Sequence, residues 1–346
     1  MKWVLGVLSA ILLGEAVFAI ATTPHDGGAP SGSLQVVGTA LTLDGKPVRF
    51  NGISYGWHNL WPRFYNEGSV QTFGRHWGCR IVRAAIGADG HALADNPDRH
   101  SGYMDESWFA LERLFSVADA ATAEGIYVIV DWHSHCLHAE AAAEFFGKVA
   151  ERYADNPYVI YELFNEPVSR AFEEGRGYVD LGDQAAMEGY WAELKEYAQR
   201  LIDVIVSASR VHPLILMGCP CWDQRIDLPA ANPVEGYDNL MYTVHFYAAT
   251  HKDDLMERSS RALEAGLPLF VSECAACEAS GDGPMDAASW EKWNGWLEEN
   301  GVSAMAWSVS DKDETCSMFT PEASDCGPWN AEVIKEWGAI VKNWIK

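Results

Sequence analysis

Basic residues are scarce in this chain. Lys and Arg number 25 against 49 Asp and Glu, a formal charge of −24 over 346 residues. Nucleic acid and anionic membrane surfaces both select a basic face, so neither is expected as a partner. A polyanionic substrate is disfavoured on the same ground, whereas a neutral polymer is compatible. Long apolar runs are missing too. The stretch from Val4 to Leu13 is too short to span a bilayer and is followed by Gly14-Glu15. Preceded by Met1-Lys2 and followed by Val17-Phe18-Ala19, with Ala19-Ile20-Ala21 as a second cleavage option, it has the pattern of a secretory signal. Residues 1–19 are therefore expected to be removed on export. No Asn-x-Ser/Thr sequon occurs, so N-glycosylation is not expected. Repeats of solenoid period are absent. After a Gly/Pro/Ser-rich leader over residues 20–33, no second linker interrupts the chain, which predicts one domain over 34–346, working as a monomer.

Cysteine is present in an even number, eight, and export permits disulfides. Cys316 and Cys326 flank a loop containing Pro and Gly and are the expected pair. The doublets Cys219/Cys221 and Cys274/Cys277 leave their partners open. A structural zinc site built on these cysteines lacks matching histidine spacing. Tryptophan is abundant, with 15 residues. Most are expected in the core, and a minority as flat platforms in a cleft.

Short apolar, β-prone runs recur along the chain: 48–53, 80–86, 126–131, 158–164, 214–218, 240–246, 267–271 and 304–308. Segments with helical spacing separate most of them, at 106–124, 139–153, 185–207, 253–265 and 286–299, and a last helix is predicted over 331–344. Eight buried-type strands alternating with helices predict a parallel (β/α)8 barrel. In that architecture chemistry gathers at the C-terminal ends of the strands. Polar and aromatic residues do fall there, at every strand exit.

Two of those exits carry glutamates, in Asn165-Glu166-Pro167 and Ser272-Glu273-Cys274. A pair of carboxyl groups delivered by separate strands is what cleavage of a glycosidic bond requires. One protonates the leaving oxygen while the other, ionised, attacks or stabilises the sugar carbon. His135 and His138 closely follow His133, but no carboxylate stands at metal-binding spacing beside them. They read as loop residues near the cleft, and neither metal nor cofactor is expected.

The strings Val82-Arg83-Ala-Ala, Asp131-Trp132-His133, Asn165-Glu166-Pro167, His245-Phe246-Tyr247, Val271-Ser272-Glu273 and Trp307-Ser308-Val-Ser-Asp-Lys312-Asp-Glu314 resemble, in this order across residues 35–315, glycoside hydrolase family 5. Within that family they resemble the branch rich in secreted endo-β-1,4-glucanases. The resemblance implies a retaining mechanism on a β-1,4-linked polysaccharide, with Glu166 as acid/base and Glu273 as nucleophile. Carboxyl groups in such a pair stand about 5–5.5 Å apart. Glu166 should then have a raised pKa, and Glu273 should be held ionised.

The resemblance further implies that Arg83 and Tyr247 contact the nucleophile and that Asn165 binds the sugar 2-hydroxyl. His133 and His245 would line the reactive subsite. Trp307 would lie under the ring at the cleavage point, Trp222 on the leaving-group side and Lys312 deeper in the glycone cleft. Trp57 and Trp61 are further platform candidates. Two positions depart from the family pattern: Cys274 stands where Trp often follows the nucleophile, and Ser54-Tyr-Gly-Trp-His58 replaces Ser-x-His, which leaves His58 outside the catalytic set. Rival readings are a β-1,4-mannanase or mixed-linkage glucanase of the same mechanism, and a non-catalytic carbohydrate-binding barrel. A phosphate-handling barrel is disfavoured, because Ser310-Asp-Lys-Asp-Glu314 is too acidic to cradle phosphate.

Overall fold

The computed structural model describes residues 32–90, 100–173 and 176–346. The expected signal (1–19) and most of the expected leader lie outside this range. Eight parallel strands close into a barrel: β4 (Asn51–Tyr55), β5 (Ile81–Gly87), β6 (Tyr127–His133), β7 (Val159–Glu162), β10 (Ile215–Met217), β11 (Leu240–Tyr247), β12 (Leu269–Ala275) and β13 (Ala304–Val309). Each matches one of the eight predicted runs. Apart from Asn51 at the start of β4, every residue in these strands is buried, the condition of a parallel sheet covered on both faces.

Helices separate the strands: α1 (Glu67–Thr72), α2 (Ser107–Ala123), α3 (Ala139–Arg152), α4 (Gln184–Ala208), the short α5 (Pro220–Asp223) and α6 (Asp227–Ala231), then α7 (Asp253–Glu264), α8 (Ala287–Glu299) and α9 (Glu336–Trp344). Their inner faces follow helical spacing. In α8, Trp290, Trp293 and Leu297 point to the core, and the Asp286 carboxylate caps the start by accepting the Ser289 N–H. The last helix begins at Glu336 rather than 331, because Ile334 is drawn into an antiparallel bridge with Phe319.

Three short strands precede the barrel, β1 (Leu34–Val37), β2 (Ala40–Leu43) and β3 (Lys46–Pro47). They plug its floor. Leu34 and Leu41 join Ile81, Ile129, Ile160, Leu216 and Met305 in one apolar cluster. The Asn239 side chain bolts β1 in place, accepting the Val36 N–H at 2.8 Å and donating to Leu34 O at 3.0 Å. Gly52 in β4 is required by close approach. A Cβ there would stand 2.5 Å from Ile81 O and 2.6 Å from the Met305 Cε. A small hairpin, β8 (Ser169–Glu173) and β9 (Arg176–Tyr178), follows the fourth barrel strand. Neither the plug nor the hairpin is legible in sequence, because such short strands carry no clear alternation.

The expected Cys316–Cys326 pair does not form, and all eight cysteines are free thiols. Cys326 is exposed, whereas Cys316 is buried and its thiol contacts Cys277 and donates to Glu314 Oε1 at 3.4 Å. The reason lies in the loops. The Cys316 N–H donates to Gly281 O at 3.0 Å, which draws the 310–316 segment against the loop that follows β12 instead of toward 326.

Tryptophans divide as expected. Trp77, Trp132, Trp191, Trp293 and Trp337 are fully buried, while Trp57, Trp61, Trp222 and Trp307 line the groove above the barrel. No helix among the described residues is long and apolar enough to cross a membrane.

Candidate active site

Strand register is regular on one side of the barrel and broken on the other. β5 and β6 pair without interruption from Ile81↔Tyr127 to Gly87↔His133. Register shifts fall instead between Thr243 and His245, between Val271 and Cys274, and between Trp307 and Val309. Irregularities of this kind re-aim side chains, and these bracket or adjoin His245, Glu273 and Trp307.

The centre is Arg83, fully buried on β5. Its guanidinium binds Glu162 (Nε–Oε2 2.7 Å), Asp131 (Nη2–Oδ2 3.0 Å) and Glu273 (Nη1–Oε2 3.1 Å), and it donates to Asn165 Oδ1 at 2.7 Å. One cation therefore serves three buried carboxylates. Desolvation alone would lower the Arg83 pKa, but these anions drive it well above its ordinary value. Burial in turn raises Asp131 to about 7 and raises Glu162, against the pull of Arg83.

Glu273 receives a second contact from Tyr247, whose hydroxyl donates to Oε1 at 2.7 Å. Glu166, just past β7, contacts His245 Nδ1 through Oε1 at 2.9 Å and His135 Nε2 through Oε2 at 3.1 Å. An oxygen of Glu166, a nitrogen of His245 and an oxygen of Glu273 all lie within 4.8 Å of one another. On its far side, His245 Nε2 faces Ser272 Oγ at 2.8 Å and Asp223 Oδ2 at 3.2 Å. Burial alone would lower His245, but Asp223, Glu166 and Glu273 outweigh it and push its pKa up to about 9.

The proton order in the open groove is the reverse of the one expected for the two glutamates. Burial would raise Glu166, but hydrogen bonds from His135 and His245 hold it below the usual carboxylate range. Glu273 is raised by burial and by the charge of Glu166, against His245, Arg83 and Tyr247. Glu166, Glu273 and His245 lie close enough to titrate as a unit.

Two half-grooves meet at this pair. One is walled by Trp57, Trp61, Trp307 and Lys312, the other by Trp222, Gln224 and His251, and both share Glu166, Glu273, Tyr247 and His135. Trp307 stacks on His133 with ring centroids 5.3 Å apart and planes within 4°. His133 touches neither glutamate; its Nδ1 is held by Asp131 at 2.6 Å. Asn165 is buried and presents its oxygen to Arg83. Lys312 pairs with Glu314 at the rim, and Trp222 is partly exposed in a turn where Cys221, Trp222 and Asp223 all have positive φ. His58 is fully buried and accepts the Gly87 N–H at 3.0 Å.

Sequence reasoning missed Asp131, Glu162, Asp223 and Ser272 as members of the network; it placed His135 in a loop near the cleft, where it stands, without its contact to Glu166. Signals existed. Glu162 and Asp131 are charges inside apolar strand runs, which a barrel tolerates only with partners.

The family model described as cellulase (glycosyl hydrolase family 5) matches residues 41–313. Endoglucanase Z of Dickeya dadantii is 29% identical over 316 residues, covering 90% of this chain and 66% of that protein. Endoglucanase A of Butyrivibrio fibrisolvens is 30% identical over 317 residues, covering 88% and 66%. This chain spans 42% to 66% of the length of the first three curated relatives compared. The catalytic domain of a Thermobifida fusca endoglucanase superposes with a TM-score of 0.77 at 27% identity, covering 92% of this chain and 99% of that one. A β-mannanase from Streptomyces thermolilacinus, 17% identical with a TM-score of 0.62, shares the fold. With the family model matched over most of its length, the chain belongs to the cellulase family, glycosyl hydrolase family 5.

Proposed function

We propose that the chain is a retaining endo-β-1,4-glucanase that cleaves internal bonds of cellulose or related β-glucans through a covalent glycosyl-enzyme. The observation that carries the reading is the Glu166–Glu273 pair at the junction of two aromatic-walled half-grooves, with Arg83 and Tyr247 on Glu273. Oxygens of the two carboxyls within 4.8 Å suit direct attack better than the wider spacing that admits a water. A groove continuing on both sides of the pair suits a bond inside a polymer. An insoluble polymer cannot enter a cell, so this reading requires export.

In the proposed cycle, Glu273 attacks the anomeric carbon as the glycosidic C–O bond breaks, and Glu166 passes a proton to the leaving oxygen. Water then enters, Glu166 takes its proton, and the hydroxide displaces Glu273. The raised His245 beside Glu166 fits this cycle. His245 Nδ1 stands 2.9 Å from Glu166 Oε1, a direct transfer path. Once the proton crosses, Glu166 is neutral and can protonate the leaving oxygen, while Arg83 and Tyr247 still hold Glu273.

The glucan preference is supported by the named endoglucanase relatives and by a Thermobifida fusca endoglucanase structure in complex with cellotetraose, 27% identical to this chain. The test is reducing-end release and viscosity loss on carboxymethylcellulose, with mannan in parallel. Rapid viscosity loss on the cellulose derivative is expected. Activity on mannan alone would overturn the substrate and leave the mechanism standing.

A pH profile checks the proton store. Below about pH 9, His245 is an imidazolium and supplies Glu166; above it the proton is lost. The alkaline limb of kcat/KM should therefore fall near pH 9, and the acid limb should lie above the ordinary glutamate range because Glu273 is raised. His245→Asn should move the alkaline limb to lower pH. An alkaline limb unmoved in that variant would remove His245 from the proton path.

A further inference from the structure

The structure supplies a carboxylate beside the His133-Ser-His-Cys-Leu-His138 string that the local spacing lacks. Asp89 comes from the exit of the neighbouring strand, where the Ala88 N–H donates to His133 O at 3.1 Å and ties the two exits together. Asp89, Cys136 and His138 each bring one ligand-type atom to a common point, all within 4.8 Å of one another. All three are largely shielded. Cys136 is 5% exposed, and the Asp89 and His138 side chains are each 14% exposed.

Two further observations point the same way. His138 Nε2 stands 2.7 Å from Asp89 Oδ1, yet this buried nitrogen makes no well-formed hydrogen bond. His138 also occupies the N-cap position of α3 without using its side chain as a cap. The neighbouring histidines are committed elsewhere, His133 to Asp131 and His135 to Glu166. Behind the cluster, the fully buried Ser134 places its Oγ 3.2 Å from Asp89 Oδ2 and accepts the Cys136 N–H at 3.0 Å. It braces the Asp89 side chain and the Cys136 backbone, as supporting groups do behind metal ligands.

We propose that Asp89 Oδ1, Cys136 Sγ and His138 Nε2 form a binding site for a zinc-class divalent cation, with water in the fourth position. The donor set decides the class. Calcium and magnesium take oxygen ligands, whereas thiolate with imidazole and one carboxylate suits zinc. Zn–N and Zn–O bonds near ~2.0 Å place adjacent tetrahedral ligands ~3.3 Å apart, so the His138–Asp89 spacing opens by about half an ångström on binding. Cys136 gives up its S–H proton to solvent as the S–metal bond forms, and His138 ligates as the neutral ring with its proton on Nδ1. The cation clamps the 134–138 segment to the exit of β5. That segment carries His135 and its contact with Glu166, so the site sets the rigidity of one wall of the groove.

The experiment is a Co2+ titration of chelator-treated protein, followed by its visible and near-ultraviolet absorption. Expected are tetrahedral d–d bands and a thiolate-to-cobalt charge-transfer band saturating at one equivalent, both displaced by Zn2+. Cys136→Ser should abolish the charge-transfer band, and His138→Ala should weaken binding at least tenfold. Glu273→Gln and Cys277→Ser should leave the band intact. One equivalent of Zn2+ should raise the unfolding temperature of the unmutated protein and not that of Cys136→Ser. The proposal is overturned if the unmutated protein shows no charge-transfer band. It is equally overturned if the band survives in Cys136→Ser, or if it disappears in Cys277→Ser, which would place the cation at the Cys277–Cys316 thiols.

Discussion

Glu273→Gln is expected to lower kcat on a soluble β-glucan by roughly 10⁴-fold or more, within the range seen when a covalent nucleophile is removed. The amide is nearly isosteric, so the groove should keep its shape, but it cannot form the ester intermediate. Stability should change little. The substitution removes one of three carboxylates competing for Arg83, and Glu162 and Asp131 still pair with that guanidinium. Binding of cello-oligosaccharides should persist, since the aromatic walls are untouched. Glu166→Gln should cost about 10²–10⁴-fold, the usual worth of a general acid/base, and least on substrates whose leaving group needs no proton. A complementary result comes from Glu273→Gly with azide and an activated glycoside. The small anion should attack from the vacated side and release a glycosyl azide of inverted anomeric configuration. Residual turnover above a few per cent in Glu273→Gln, on preparations free of unmutated enzyme, would remove it from the nucleophile role.

Arg83→Met should be the most damaging substitution to the fold. It leaves Asp131, Glu162 and Glu273 facing one another in a buried site without the guanidinium that binds all three, with the His245 imidazole 3.9 Å from Glu162 as a poorer substitute. Breaking a buried ion pair from one side typically costs about 3–5 kcal/mol, and here three partners are stranded. The loss is expected as a lower urea midpoint at pH 7, with activity abolished alongside.

The pH dependence identifies the cause. Without Arg83 the stranded carboxyls have folded-state pKa values above their unfolded ones, so the folded state binds more protons. Its stability then falls as pH rises above the unfolded carboxylate range, and lowering the pH from 7 to 5 should recover part of the loss. Asp131 already lies at about 7 with the guanidinium present, which shows how steeply this site resists negative charge. Equal losses at pH 5 and pH 7 would assign the defect to packing instead.

Which features could be read from the linear chain follows from the range of the forces involved. Eight apolar runs spaced by helical segments identify the barrel, because strand and helix periodicity are local properties. The barrel then assigns chemistry to strand exits, where Arg83, His133, Asn165, Glu166, His245, Tyr247, Glu273 and Trp307 all fall, and the family resemblance implied a role for each. The plug at 34–47 could not, since its strands are stabilised by the barrel floor and by Asn239, some two hundred residues away.

Partnerships belong to the tertiary structure. Arg83 binds Glu162 and Asp131 as well as Glu273, and Glu166 faces two histidines that reverse the proton order expected for it. Cys316 turns to Cys277, and Asp89 reaches Cys136 and His138 from another strand. Composition and spacing determined which groups stand at the mouth of the barrel. Closure of the sheet decided which of them touch, because Coulomb and hydrogen-bond energies depend on ångström separations between residues far apart in sequence, and burial then sets where each proton rests.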